Sequence, residues 1–421
     1  MNPRPEQDRA ARSVDVLVIG AGPAGLAAAA RLAAAGAGRV EVLEREPEAG
    51  GAPLFCARPG FGADPRGRAL DGPGYARRAV RAAVRAGAVV RTGVTVTGWA
   101  GPLTLETTAP TGLAAVGARA VVLATGARER SRPARLLPGS RAPGVLTTGE
   151  LQRTVTLFGA RPEHIGRRAV VAGGDPVAGH AVRLLRRAGV AVAAVVCEGP
   201  RAAAGPAGLP ADVPVLAGAV VTELAGRGRL DGVTVRDRDG RTRTVRCDTL
   251  VLAGDWIPEH ELVRAGGLPL APGGRGPLVD AALRTGVPGV FAAGGLLRGG
   301  EPAARAAAEG RAVADAVLAR LDGRDPGPAR GLPVVAGGAV HRVHPGLLGP
   351  EPAPLVLWAA RPLVRPVLSV GQDGRILRRA RLGTGLVPWR PLRLGPGWTQ
   401  DPDPGGGPVV VRAEDGGDGT G

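Results

Sequence analysis

The chain has 421 residues, 44% of them apolar, which is enough for two or three domains with their own cores. Its formal net charge is +17, yet every basic residue is arginine and aromatic residues make up only 2%, so the charge reads as a compositional bias of solvated faces rather than a nucleic-acid surface. The three cysteines, Cys56, Cys197 and Cys247, are far apart and form no CxxC, which argues against a disulfide framework and for a reducing compartment.

Residues 1–12 are polar and charged and lack the apolar core of a secretory signal, so they are expected to form a disordered tail. The most apolar stretch, around "AGLAAAARLAAAGAG", is interrupted by Arg31 and falls short of a membrane span. A soluble cytoplasmic protein with no membrane span is the expectation.

The apolar run Val14 to Ile19 predicts a buried parallel strand. Gly20, Ala21, Gly22, Pro23, Ala24 and Gly25 then fit G-x-G-x-x-G, followed by an alanine-rich helix to Ala35 and a second strand, Val40 to Leu43, that ends in Glu44. In such a unit Gly20 permits a tight turn, Gly22 lets the backbone approach a pyrophosphate, and Gly25 lets the helix pack on the strand. The helix start offers free N–H groups and partial positive charge to phosphates. Glu44, 19 residues after Gly25, stands where an acid accepts hydrogen bonds from a ribose.

"REPEAGGAPLFCARPGFG", "ARAVVLATGARER", "TGVPGVFAAGG" and "EPAARAAAEGRAVADAV" follow in that order. Together with the glycine turn they resemble the two-dinucleotide-domain flavoproteins of the pyridine nucleotide-disulfide oxidoreductase class, over roughly residues 13 to 321. Within that class, "LDGPGYARR", "ARLLPGSRAPGVLTTGELQ" and "GDWIPEHEL" are similar to FAD subunits of opine, hydroxyproline and cyanide-forming dehydrogenases, and to flavoproteins that accompany glycerol-3-phosphate dehydrogenases. The resemblance implies FAD at the first motif, with Gly20, Gly22, Pro23, Ala24 and Gly25 on the pyrophosphate and Glu44 on the adenosine ribose. It further implies that Val96 lies on the strand that meets the adenine, and that Thr125 and Gly126 pass beside the FAD. Gly51 opens the segment that runs near the flavin ring to Cys56, a candidate redox thiol. Gly294 and Gly295 match a third motif that normally reads Gly-Asp, so the aspartate that would hold the flavin's ribityl chain or phosphate is absent. Glu301 and Arg305 follow it as candidate substrate or flavin contacts.

The class inserts a second Rossmann-like domain, usually for NAD(P)H. "VVAGGDPVAGHAVRLLRRAG" begins it: with Gly20 laid on Gly173, Gly36 falls on Gly189, which marks a repeated βαβ unit. Gly174 follows, and then Asp175 stands where Gly22 stood, with Ala178 in place of Gly25. A carboxylate there opposes a pyrophosphate, but caps a helix well, and Pro176 suits the first helical position. Glu198 ends the next strand, near a ribose acid's place, and reads equally as an exposed acid at a strand end. The domain's fold is therefore expected and its NAD(P) is not.

His180 falls within the second domain's helix, and His341 and His344 lack a third metal ligand and read as surface loop, so no metal site is expected. From about Leu332 short alternating runs, a "QDG" hairpin turn and Trp358, Trp389 and Trp398 predict a small β-rich domain. The expected organisation is a tail over 1–12, an α/β FAD-binding Rossmann-like domain over 13–155 and 266–325, an inserted NAD(P)-binding-like domain over 156–265, a β-rich domain over 332–412 and a disordered tail over 413–421. The function implied is an FAD-dependent oxidoreductase of a small polar amine, imino acid or hydroxy acid, passing electrons to an acceptor or partner, with a partner subunit or a homodimer as the expected assembly. The alternatives are an NAD(P)H-driven flavin reductase and a non-catalytic flavin-binding subunit.

Overall fold

The computed structural model describes residues 10–199, 209–325 and 327–416. The strand Ala10–Ile19 lies between Val40–Leu43 and Gly112–Leu123, parallel to both, and Val89–Arg91 extends the parallel edge. Val290–Ala292 pairs with the end of Gly112–Leu123, while Thr104–Ala109 and Thr95–Gly101 continue the sheet as an antiparallel meander. Val16, Leu17 and Val18 are fully buried at its centre, as a strand covered on both faces requires. The helices Pro23–Ala34 and Ala303–Leu321 pack side by side on this sheet.

A second sheet repeats the plan. Val145–Thr147, Thr249–Leu252, Arg168–Ala172, Ala191–Cys197 and Val215–Ala217 run parallel in that spatial order. An antiparallel meander follows, made of Val220–Arg227, Arg229–Arg236 and Thr242–Arg246. The short pair Ala127–Glu129 and Trp256–Pro258 links the two units. The C-terminal part is built from a five-stranded and a three-stranded sheet. One of its hairpins turns at Asp373 and Gly374, both with positive φ (49° and 79°), the combination a two-residue turn of this hand needs.

Three expected boundaries are corrected. Strand structure starts at Ala10, inside the expected 1–12 tail, because the strand extends along its long neighbour with Ala10 opposite Ala114; residues 1–9 lie outside the described residues. The final strand Val409–Glu414 runs into the expected 413–421 tail, since Val409, Val411 and Ala413 form one fully buried face; residues 417–421 lie outside the described residues. The inserted unit begins before 156: Val145–Thr147 is already a strand of its sheet, and the helix Thr148–Phe158 packs with it. At the other end Leu262 and Val263 belong to the first unit's core, not to the insert's.

Candidate functional site

Several backbone segments converge where the first helix begins. Gly20 has φ +101°, and a Cβ there would lie 2.5 Å from the Ala124 carbonyl oxygen. A Cβ at Gly25 would lie 2.0 Å from the Gly20 carbonyl oxygen, so helix and strand meet at van der Waals limits. Gly22 differs: it is the N-cap of the helix, and nothing lies within 4 Å of the place a Cβ would occupy. No side chain caps this helix. Its first N–H groups are therefore left without a side-chain acceptor, which is the arrangement an anion seat needs.

The remaining segments close around this turn. Glu44 is buried, and accepts from Ala21 N–H through Oε2 at 2.8 Å and from Glu46 N–H through Oε1 at 3.0 Å. Val94 N–H donates to the Glu44 carbonyl at 2.9 Å, which sets the strand carrying Val96 beside the acid. Gly51, with φ +65°, comes so near Gly22 that a Cβ would lie 2.9 Å from the Gly22 Cα. Thr125 Oγ1 donates to the Glu259 carbonyl at 2.8 Å, and Glu259 N–H donates to the Gly126 carbonyl at 2.9 Å. A Cβ at Gly295 would lie 3.4 Å from Gly126 Cα, and one at Gly294 2.7 Å from the Ala24 Cβ. The residues present fit a dinucleotide: the close approaches are to backbone or to an alanine Cβ, no side chain caps the helix start, and a carboxylate stands beside it.

The second turn has the same frame and a different occupant. Its helix, Pro176–Arg187, has 12 residues, as has Pro23–Ala34. Each helix is followed by a glycine at φ +74°, Gly36 or Gly189. Here the N-cap is Asp175, whose Oδ1 accepts from Val177 N–H at 3.0 Å and Ala178 N–H at 3.1 Å. A Cβ at Gly254 would lie 2.4 Å from Asp175 Oδ2, so the carboxylate packs against the backbone that follows the strand Thr249–Leu252. Burial pushes its carboxyl above the usual range, against those two N–H bonds and the Arg135 charge. Gly173 keeps a positive φ against Ala253, and Gly174 faces the Cys197 Cβ. Glu198 is exposed at the strand end, unlike the buried Glu44.

Between the two units lies Glu129, which the sequence reading missed. It is buried; Oε2 accepts from Gly149 N–H at 2.6 Å and Oε1 from Gly254 N–H at 3.2 Å. Burial pushes its carboxyl up to about 7, against those bonds and with the nearby Asp175 charge adding to the rise. Its only sequence signal was an acid three residues after the "ATG" segment. The Gly149 it holds lies in the first turn of the helix Thr148–Phe158, which is set by a capping box in which Thr147 and Glu150 satisfy each other's backbone N–H groups.

Cys56 is half-buried, with Sγ 3.5 Å from both the Ala52 carbonyl oxygen and Gln152 Oε1. Burial pushes the thiol up, so it is protonated at neutral pH. Cys197 and Cys247 are buried in the insert. The acid that reaches the third motif is Glu309, from the long helix: Oε2 accepts from Gly294 N–H at 3.0 Å, and Oε1 pairs with the buried Arg298. Glu301 pairs with Arg298 at 3.1 Å and faces Arg305 at 3.6 Å, inside the same network. Arg298 and Arg342 lie 5.7 and 4.7 Å from the centre of the Trp358 ring, joining the β-rich part to the third motif. His341 and His344 are corrected from surface loop to the strand Val340–His344, paired with Leu355–Ala359.

Residues 14–310 match the pyridine nucleotide-disulphide oxidoreductase family. The chain belongs to that family and is an FAD-binding oxidoreductase of the class. One subunit of the opine oxidase of Agrobacterium tumefaciens is 38% identical over 162 residues, covering 35% of this chain and 30% of that protein. The alpha chain of a Corynebacterium sarcosine oxidase is 31% identical over 270 residues, covering 58% of this chain and 26% of that protein. The chain thus spans less than a third of the length of these curated relatives. Thioredoxin reductase of T. acidophilum shares the fold, with a TM-score of 0.58, 23% identity, and coverage of 73% of this chain and 99% of that one. Among the described residues no helix is long and apolar enough to cross a membrane.

Proposed function

We propose that this protein oxidises a small polar amine, imino acid or hydroxy acid in the cytoplasm and passes the electrons to an acceptor or partner protein. The observation that carries this reading is the contrast between the two turns: Gly22 leaves its helix N-terminus open, while Asp175 satisfies the N–H groups of the other from within. Electrons therefore enter from a substrate rather than from a nicotinamide nucleotide. FAD, when bound, supplies a two-electron acceptor. Gly20 to Gly25 would hold its pyrophosphate and Glu44 its ribose, with Gly51, Val96, Thr125, Gly126, Gly294 and Gly295 as the walls. The relatives named for opine and sarcosine oxidation support an amino- or imino-acid substrate, and both are named as subunits, which supports a larger assembly.

The test is anaerobic mixing of the holoprotein with NADH, NADPH and a panel of small N-substituted amino acids, imino acids and hydroxy acids, following the flavin absorbance. Bleaching by a member of the panel, and not by the nicotinamides, is expected. Rapid bleaching by NADH with micromolar saturation overturns the reading.

A further inference from the structure

A cavity of about 40 Å³ lies between residues 55–58 of the first unit and the helices Thr148–Phe158 and Pro176–Arg187 of the insert. Its polar lining is Arg58, Gln152, Thr156, His180, Arg183 and Arg187. His180 is 8% exposed, and neither of its ring nitrogens has a hydrogen-bond partner. The Arg58 Nε is likewise buried without a partner. Buried polar atoms left in this state are uncommon and costly. Among the described residues, none that lines the cavity is acidic. Arg58, Arg183 and Arg187 thus line the space around a buried imidazole, with no carboxylate among the described residues that line it. One wall is apolar, made by Phe55, Val155 and Leu184.

We propose that this cavity binds a small carboxylate, whose oxygens take the Arg58 Nε–H and the His180 N–H while a short alkyl group meets the apolar wall. Arginine's planar fork suits a carboxylate. The size is right as well: about 15 Å³ admits one water, so this space holds a few waters or one group of carboxylate dimensions. The site is independent of the reaction proposed above. Because its walls come from both units, an occupant would tie them together.

The charge on His180 follows from the same geometry. Burial, and then the charges of Arg58, Arg183 and Arg187, hold its imidazole down to about 4. The other polar groups facing it, Gln152 and Thr156, are neutral. A bound anion offsets the three cations and raises the titration midpoint.

The experiment titrates the full-length holoprotein, carrying ring-labelled histidine, with sodium acetate, sodium chloride and inorganic phosphate at matched ionic strength. The chain has five histidines, and His180→Gln assigns the signal. Acetate is expected to shift the His180 resonance saturably, raise its titration midpoint and raise Tm, with chloride and phosphate giving smaller effects. Arg58→Gln should weaken acetate binding about tenfold, in line with one lost charge-assisted bond. Equal responses to acetate and chloride, or none, overturn the proposal, because the cavity then holds only water. A stronger response to phosphate than to acetate overturns the carboxylate assignment. The wild-type titration decides these outcomes even if a variant fails to fold.

Discussion

Replacing Asp175 separates a helix cap from an obstacle to nucleotide binding. In Asp175→Gly two bonds to Oδ1, at 3.0 and 3.1 Å, are lost. Glycine is itself a tolerable N-cap, so the cost in stability is about 0.5 kcal/mol. The gain is larger. A carboxylate about 4 Å from one phosphate charge opposes it by about 4 kcal/mol at an effective dielectric of about 20, or about a thousandfold in Kd. The glycine variant should therefore bind NADH or NADPH far more tightly and bleach faster in stopped-flow reduction. Asp175→Asn keeps the bulk and a good cap but drops the charge, so it should melt like the wild type and reduce at an intermediate rate. Rapid reduction of the wild type with micromolar saturation would refute the reasoning. A folded Asp175→Gly that gains nothing would refute it too, since another group would then close the seat.

Gly22→Asp should fold but lose FAD by at least about a hundredfold, because it places at the first turn the carboxylate that fills the second; heat release and chromatography give flavin content, and circular dichroism checks the fold. Cys56→Ser should retain FAD and most turnover, since the thiol is protonated and lacks a cysteine neighbour; a large fall in reduction rate at full flavin content would make Cys56 a redox group. Glu129 has its folded pKa raised from 4.5 to about 7, so the stability it contributes is present below the lower value and lost as pH rises through the upper one. The loss is about 3 kcal/mol. Glu129→Gln should remove most of this slope in urea unfolding between pH 4.5 and about 7, and an unchanged slope would place the titrating group elsewhere.

What could be read in advance was what lies close in sequence. Gly20, Gly22, Gly25 and Glu44 occupy a single βαβ unit, where spacing fixes geometry, and the Asp175–Pro176 cap carries its own local signal. Glu129 meets Gly149 and Gly254, 20 and 125 residues away, and no local pattern announces such a meeting. The same holds for Glu309, whose contact with Gly294 depends on how the long helix crosses the third motif. Val145–Thr147 was missed because three residues carry no periodicity. The strand ending at Glu414 outlasts its valines because the small Ala413 completes the buried face just where Asp and Gly begin.

The two units share a strand layout and a helix length but differ in who satisfies the helix N-terminus. Asp175 is covalently present, so the insert's helix start is complete whether or not a ligand is bound. The Pro23–Ala34 helix has no such side-chain cap, and in the function proposed above its first N–H groups would be satisfied by the phosphates of FAD. Removing FAD should therefore weaken one unit and spare the other. A ligand at a hundredfold excess over Kd contributes about 2.7 kcal/mol to the unit that binds it. Hydrogen exchange on holo and apo protein reads this directly. In the apo form, amides at the start of Pro23–Ala34 and in its sheet should exchange faster, while those of Pro176–Arg187 keep their protection. Equal loss of protection in both helices would show that FAD stabilises the insert through the contacts of Glu129 as strongly as it stabilises its own turn. Loss confined to Pro176–Arg187 would place the nucleotide at the wrong helix and remove the basis for assigning the first turn to FAD.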